Sequence, residues 1–403
     1  TQSMTGEITR DEQALQFFYF SLALIILGVG FLKANISSLV GELYEVGDKR
    51  RDSGFTIFYM GINLGSFLAT IICVWLGEEY GWSYGFGSAG LGMLLGLITF
   101  IYGKKYLNGK GEPTVPELLE KKFLGFKIEW VIYIVSLLSV FVFWQMVQSH
   151  EIVSSSLMVA GALSAAYIIY YSVNKVDKKA REQLFALTIL IVFTIIFWAL
   201  FEQAYTSLNL FADRVLDRGD IPAGNFLSLN ALFIILLAPI FAWLWVKLGK
   251  YNPNTAVKFS LALMLVGLGF GSLVLGINLS DMGKVGMIWL VITYFLHTCG
   301  ELCLSPVGLS AVTKLSPPKI VGFMMGVWFL ATASSEFIAS VLANIASVDT
   351  SNGTAPDLNI AKESYLVLFE YLFYTGLIFG VVLLALSPLI KKLMHGVDKE
   401  LNN

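Results

Sequence analysis

The chain has 403 residues, of which 56% are hydrophobic and 14% charged, with a mean hydropathy of +0.71 and a formal charge of −2. Such a composition is that of a membrane protein, and without a basic excess there is no field to recruit nucleic acid. The three cysteines, Cys73, Cys299 and Cys303, sit inside apolar segments at no metal-ligand spacing and call for no metal or other cofactor; Cys299 and Cys303 read as core packing.

The first residues, Thr1 to Gln13, are polar and of mixed charge and carry no signal peptide, so they read as an external loop preceded by more chain. After them come about eleven apolar runs long enough to cross a bilayer, beginning near residues 15, 54, 83, 129, 152, 186, 226, 257, 285, 320 and 364. Lys49, Arg50 and Arg51, then Lys104 to Lys127, Lys175 to Arg181, Lys247 and Lys250, Lys314 and Lys319, and Lys391 and Lys392 fall on every second connection. By the positive-inside rule those connections are cytoplasmic, and so is the C-terminus. The alternate loops, at about 77–82, 208–224, 279–284 and 347–363, hold only Arg214, Arg218, Lys284 and Lys362 among the basic residues and face outward. The longest inner connection, about 104–127, carries a Gly-Lys-Gly-Glu-Pro turn and a short amphipathic piece from Pro116 to Phe126 that suits the membrane surface. It divides the chain. Glycine clusters at Gly87, Gly90, Gly92 and Gly96 and at Gly267, Gly269 and Gly271 predict close helix approach.

Polar residues inside these runs carry the functional argument. Lys33 lies in the first run with Asn35 nearby, either snorkelling to the interface or buried and in need of an anion. Asn63 in the second can donate and accept hydrogen bonds. Trp198, Glu202 and Tyr205 share one face of the sixth at helical spacing, an aromatic wall beside a carboxylate. Asn230 follows in the seventh run, and Trp328 and Phe329 in the tenth. Between them, Glu301 sits within Thr298-Cys299-Gly300-Glu301-Leu302-Cys303-Leu304-Ser305-Pro306-Val307-Gly308, with Ser305 one turn on along the same face. A carboxylate there costs about 2.5 to 3.5 kcal/mol on insertion scales, so Glu301 should face protein or water. Pro306 and Gly308 are expected to loosen the helix beside it, and His297 reads as a packed histidine. One buried cation, several buried carboxylates, amides and aromatics spread over different helices make the pattern of an ion-coupled carrier. No zinc-protease helix, P-loop or dinucleotide fingerprint is present, and the protein is not expected to be an enzyme.

The sequence resembles the proton-coupled oligopeptide transporter family of the major facilitator superfamily. The resemblance rests on Gly28-Val29-Gly30-Phe31-Leu32-Lys33-Ala34-Asn35 with Asp48-Lys49-Arg50-Arg51-Asp52-Ser53-Gly54-Phe55, on Phe58-Tyr59-Met60-Gly61-Ile62-Asn63-Leu64-Gly65, on Phe201-Glu202-Gln203, on Gly300-Glu301-Leu302 through Ser305-Pro306-Val307-Gly308-Leu309-Ser310, and on Trp328-Phe329-Leu330. It implies an all-α polytopic fold with about eleven of an expected fourteen transmembrane helices, the first three being absent together with their proton-coupling motif. A lone copy of this polypeptide is therefore expected not to transport. It further implies three parts: residues 1–103 as the remainder of an N-terminal bundle, 104–185 as a linker with two inserted helices, and 186–403 as a C-terminal six-helix bundle. Ala34 departs from the family's usual proline and predicts a straighter helix after Lys33.

Carried over by position, the resemblance implies import of di- and tripeptides with protons by a monomer, through alternating access around a midplane site in the bacterial inner membrane. Lys33 would draw the peptide carboxylate and face Glu301, which would draw the amino terminus. Asn63 and Asn230 would bond the peptide backbone, Trp198, Trp328 and Phe329 would line side-chain pockets, and Ser305 would stand beside Glu301. Glu202 would be the proton-responsive group, with Lys33 and Glu301 completing the gate. A competing reading is a proton-coupled carrier of another small anion such as nitrate, since Lys33 alone attracts any anion. An intramembrane hydrolase or receptor is a reading of a different class, opposed by the lack of a nucleophile and base pair, an aspartyl pair, a metal triad or an appended soluble domain.

Overall fold

A computed structural model describes residues 11–43, 51–112, 116–123, 125–280, 283–344 and 357–397. Thirteen α-helices lie among them: α1 (Glu12–Glu42), α2 (Arg51–Glu79), α3 (Trp82–Gly103), α4 (Pro116–Glu120), α5 (Ile128–Val147), α6 (His150–Asn174), α7 (Lys178–Phe201), α8 (Ser207–Arg214), α9 (Ser228–Leu248), α10 (Thr255–Asn278), α11 (Met287–Leu315), α12 (Val321–Ala343) and α13 (Leu358–Leu393). Side-chain caps fix where several begin. Asp11 accepts from the backbone N–H groups of Gln13 and Ala14, Asp177 from Ala180, Asn254 from Val257, and Asp357 from Asn359 and Ile360. Pro239 and Pro388 lie inside α9 and α13 without ending them.

Eleven segments among the described residues are long and apolar enough to span a bilayer, matching the expected number and order. Many bury little of themselves: Leu95, Leu137 and Leu163 are more than 60% exposed, each in a helix of high hydropathy. So much outward apolar surface needs a hydrocarbon solvent, and the protein is an integral membrane protein.

The residues form two compact units. The first takes residues 1–60 and 92–158, and the second 61–91 and 159–403. In the first, α1 packs along α5, where Phe20 meets Trp144 edge-on at 6.4 Å and Gln16 donates to Gln148 at 3.0 Å. The expected amphipathic piece resolves into α4 followed by a hairpin of β1 (Lys122–Phe123) and β2 (Phe126–Lys127), because Gly125 takes a positive φ of 88° between the strands.

The second unit holds the main core, in which Phe197, Phe211, Phe259, Phe270, Tyr365 and Phe369 are fully buried. Its tightest seam joins α10 to α13. A Cβ on Gly376 would stand 2.6 Å from Gly267 Cα, and Ser260 donates to the Gly380 carbonyl at 2.7 Å. The close approach expected at Gly267, Gly269 and Gly271 is thus found, against α13 for the first and third and against His297 for the second. At Gly87, Gly90, Gly92 and Gly96 it is not found among the described residues, where a Cβ on any of them meets no atom within 4 Å.

The connection expected as a loop at 208–224 instead contains α8 and β3 (Leu216–Asp217), which pairs in parallel with β4 (Val285–Gly286). Leu208, Phe211 and Ala212 recur at helical spacing and are buried. That periodicity folds the segment back onto the bundle. Lys362, at the same end, is buried and donates to the Gly283 carbonyl at 3.1 Å.

Candidate functional site

Helix α11 presents two stripes, and their spacing decides what Glu301 faces. Thr293, His297 and Gly300 turn toward α10: Thr293 donates to the Gly269 carbonyl at 3.0 Å, and the His297 Nε2–H to the Val266 carbonyl at 3.1 Å. A Cβ on Gly300 would lie 2.9 Å from the Ala262 carbonyl oxygen. His297 is therefore the packed histidine expected. The other stripe, Thr298, Glu301 and Ser305, follows at intervals of three and four residues and includes the side chains that meet α9.

There Asn230 bridges the helices. Its Nδ2 donates to Glu301 Oε2 at 2.9 Å and to Thr298 Oγ1 at 3.1 Å, while the Thr298 hydroxyl donates to the Tyr294 carbonyl at 2.7 Å. Glu301 is 8% exposed. An interhelical hydrogen bond in a membrane is worth about 0.6 kcal/mol, well short of the roughly 2.5 to 3.5 kcal/mol that a midplane carboxylate costs. Stability alone does not explain the residue. Ser305, itself half-buried, adds a hydroxyl whose buried oxygen makes no hydrogen bond among the described residues, so the stripe retains polar capacity beyond Asn230.

Trp198, Glu202 and Tyr205 were expected on one α-helical face, but α7 ends at Phe201 and continues as a 3₁₀ turn from Glu202 to Tyr205. The tighter winding brings Glu202 and Tyr205 into line three residues apart, with Glu202 half-buried and Tyr205 exposed. Trp198 is half-buried and edge-on to both Phe197 and Phe201, at 5.3 and 5.2 Å. What fixes the turn is Gln203, a residue to which the sequence reading gave no separate role. Fully buried, it donates to the Ala199 carbonyl at 3.3 Å and the Ala339 carbonyl at 3.0 Å, and accepts from Ser207 at 2.7 Å. Its side chain pins the end of α7 to α12. A polar amide directly after Glu202, in a run otherwise apolar, was the available signal.

Pro306 and Gly308 do not loosen α11, which runs unbroken to Leu315. Gly308 serves contact instead: Trp328 is buried against it, in the space a Cβ would take. Phe329, the next residue, is 55% exposed. These two aromatics differ in surroundings, one seated in the helix pair and one free of it. Asn63 is buried in α2. Helix α1 includes Lys33, whose side chain lies outside the described residues, as do residues 48–50 of the first motif. Glu336 and Glu370 are exposed on α12 and α13. Among the described residues no group of three or more His, Cys, Asp or Glu side chains could hold a metal ion.

Comparison with known proteins gives these helices relatives. A family model described as the POT family matches residues 2–360. A peptide transporter of Yersinia enterocolitica is 37% identical, the match covering 82% of this chain and 69% of the relative. A di-/tripeptide transporter of Lactococcus lactis subsp. lactis is 34% identical over 95% of this chain and 77% of its own length. Among solved structures, a mutant of a peptide transporter POT in complex with alafosfalin superposes with a TM-score of 0.77 at 37% identity, covering 96% of this chain and 77% of that one.

Proposed function

The chain belongs to the POT family, the proton-coupled oligopeptide transporters of the major facilitator superfamily, and from that premise we infer how its residues divide the work. It is a transporter and not an enzyme, and its function is proton-coupled import of di- and tripeptides. The relatives named as peptide carriers weigh against the small-anion alternative. The observation that carries the assignment of a site is the Asn230–Glu301–Thr298 cluster, a buried carboxylate too costly to be kept for packing.

In this reading Glu301 attracts the peptide amino terminus, and Asn230, already donating to it, exchanges that bond for the peptide backbone when substrate arrives. Asn63 bonds the backbone as well, and Lys33 attracts the carboxyl terminus. Ser305 supplies a hydroxyl beside Glu301. Trp198 and Phe329 line side-chain pockets, with Trp328 behind as the packed support of that wall. Glu202 is the proton-responsive group, and Lys33 and Glu301 respond to it as the two bundles rock about a midplane site. Protons are the coupling ion and no bound cofactor takes part. The protein works as a monomer in the bacterial cytoplasmic membrane with its C-terminus inside, built from the parts 1–103, 104–185 and 186–403.

Labelled dipeptide uptake into liposomes holding the complete transporter, its leading helices included, with and without an inward proton gradient, tests this. Gradient-driven accumulation that unlabelled di- and tripeptides suppress and nitrate does not is the expected result. Glu202→Gln should retain counterflow and lose the response to the gradient; full proton-driven accumulation by that variant would remove Glu202 from its role.

A further inference from the structure

A second cavity-forming region lies away from Asn230 and Glu301. Helices α6, α7 and α12 enclose a groove of about 660 Å³ in the second unit. Its walls are three stripes at helical spacing: Gly161, Ala165 and Ile168 on α6, Phe185, Val192 and Ile195 on α7, and Val327, Leu330 and Ala331 on α12. From Arg181 to Ile195 it follows α7 for about 20 Å at 1.5 Å per residue, more than the ~15 Å depth of one leaflet's hydrocarbon. Small residues on α6 and α12 leave the width, and the surface is almost wholly apolar.

One end is different. Arg181 and Glu182 close it, in the first turns of α7. Glu182 is engaged by His395 at 2.5 Å and by Lys178 at 3.9 Å, and Asp177 is spent on the helix cap. Arg181 is exposed and forms no ion pair among the described residues. Residues 175–182 hold four basic side chains, Lys175, Lys178, Lys179 and Arg181, against those two acidic ones. Cations crowded into the first turns of a helix oppose its dipole, which places positive potential there already. This end of the groove has the electrostatics of an anion site with the anion still to come.

We propose that the groove binds an anionic glycerophospholipid, one acyl chain lying along α7 and the phosphate held by Arg181 with the lysines around it. Charge complementarity selects this occupant over a zwitterionic lipid, whose headgroup amine would meet the same cations. Guanidinium matches phosphate in a planar, two-pronged contact that lysine cannot copy, so Arg181 is the centre of recognition. Basic pockets between membrane helices on the cytoplasmic side favour such headgroups in general.

Native mass spectrometry of the delipidated protein, titrated separately with phosphatidylglycerol and phosphatidylcholine of identical acyl chains, tests the proposal. Phosphatidylglycerol should be retained at least about fivefold better, the worth of roughly one cation near an anionic lipid surface. Arg181→Gln should cut that preference severalfold and weaken phosphatidylcholine, which carries the same phosphate, by less; Arg181 is exposed, so the change leaves the core intact. Ala165→Trp, which fills the groove, should weaken both lipids, with Ser334→Phe from the α12 side as the second such variant should the first fail to fold. Equal retention of the two lipids by the unaltered protein, or an undiminished preference in Arg181→Gln, overturns the proposal. So does displacement of phosphatidylglycerol by millimolar inorganic phosphate, since the site would then be one for a free anion.

Discussion

Two helix pairs in the second unit hold together by opposite means. Between α10 and α13 the backbones come so near that a single Cβ on Gly376 would strike Gly267, and a side-chain bond across the seam, from Ser260 to the Gly380 carbonyl, is satisfied by backbone. Between α9 and α11 Phe233 meets Phe295 edge-on at 5.6 Å, and an amide and a carboxylate, Asn230 and Glu301, bond across the pair at 2.9 Å. Lipid is as apolar as leucine, so neither pair gains from hydrophobic burial against the membrane; close packing serves one and polar bonding the other. A packed seam has nothing to exchange. A polar bridge does, because a peptide's amine and amides can replace each partner, and that is the physical reason to place the substrate at α9 and α11 and to treat α10 and α13 as a fixed back.

The comparison predicts separable failures. Gly376→Leu should have the largest effect: overpacking costs about 1 to 3 kcal/mol where neighbours can give, and backbone at 2.6 Å cannot, so little folded protein is expected on size-exclusion chromatography. Glu301→Gln is expected to lower dipeptide uptake by at least about tenfold while the melting temperature holds or rises, because it removes a midplane charge and keeps an acceptor for Asn230. A melting temperature that collapsed along with uptake would make Glu301 a structural residue and erase the contrast. For Asn230→Ala the loss in stability should be about 0.6 kcal/mol and no more than ~1.7 kcal/mol, accompanied by a higher KM for peptides, measured by thermal shift and concentration-dependent uptake. Phe329→Ala should change stability by less than about 0.5 kcal/mol, Phe329 being exposed, yet alter the ranking of competing peptides with bulky side chains. An unaltered ranking would take Phe329 out of the substrate pocket.

Much of this was legible in the residues themselves. The eleven spans follow from runs of apolar length, and the polar exceptions inside them, Glu301 above all, stand out by cost alone. The stripe of Thr298, Glu301 and Ser305 follows from helical spacing, as does the separate stripe that seats His297. The turn at Glu202 was less legible. An α-helix and a 3₁₀ turn differ by about 20° of winding per residue, too little for apolar spacing over four residues to reveal, and the buried bonds of Gln203 to two helices settle which one forms.

By itself the sequence determined that this protein lives in lipid, how many times it can cross, and which side chains are too polar to face hydrocarbon. Partnership was decided by the tertiary structure. Asn230 and Glu301 are 71 residues apart, and no spacing rule reaches across two helices. The same holds for glycine: Gly267 and Gly308 became points of contact while Gly87 and Gly96 met nothing, although all four lie in apolar helices. In a membrane the composition of a helix face does not reveal whether it meets lipid or protein, because both are apolar. Only the distance between backbones, set by the whole packed unit, tells them apart.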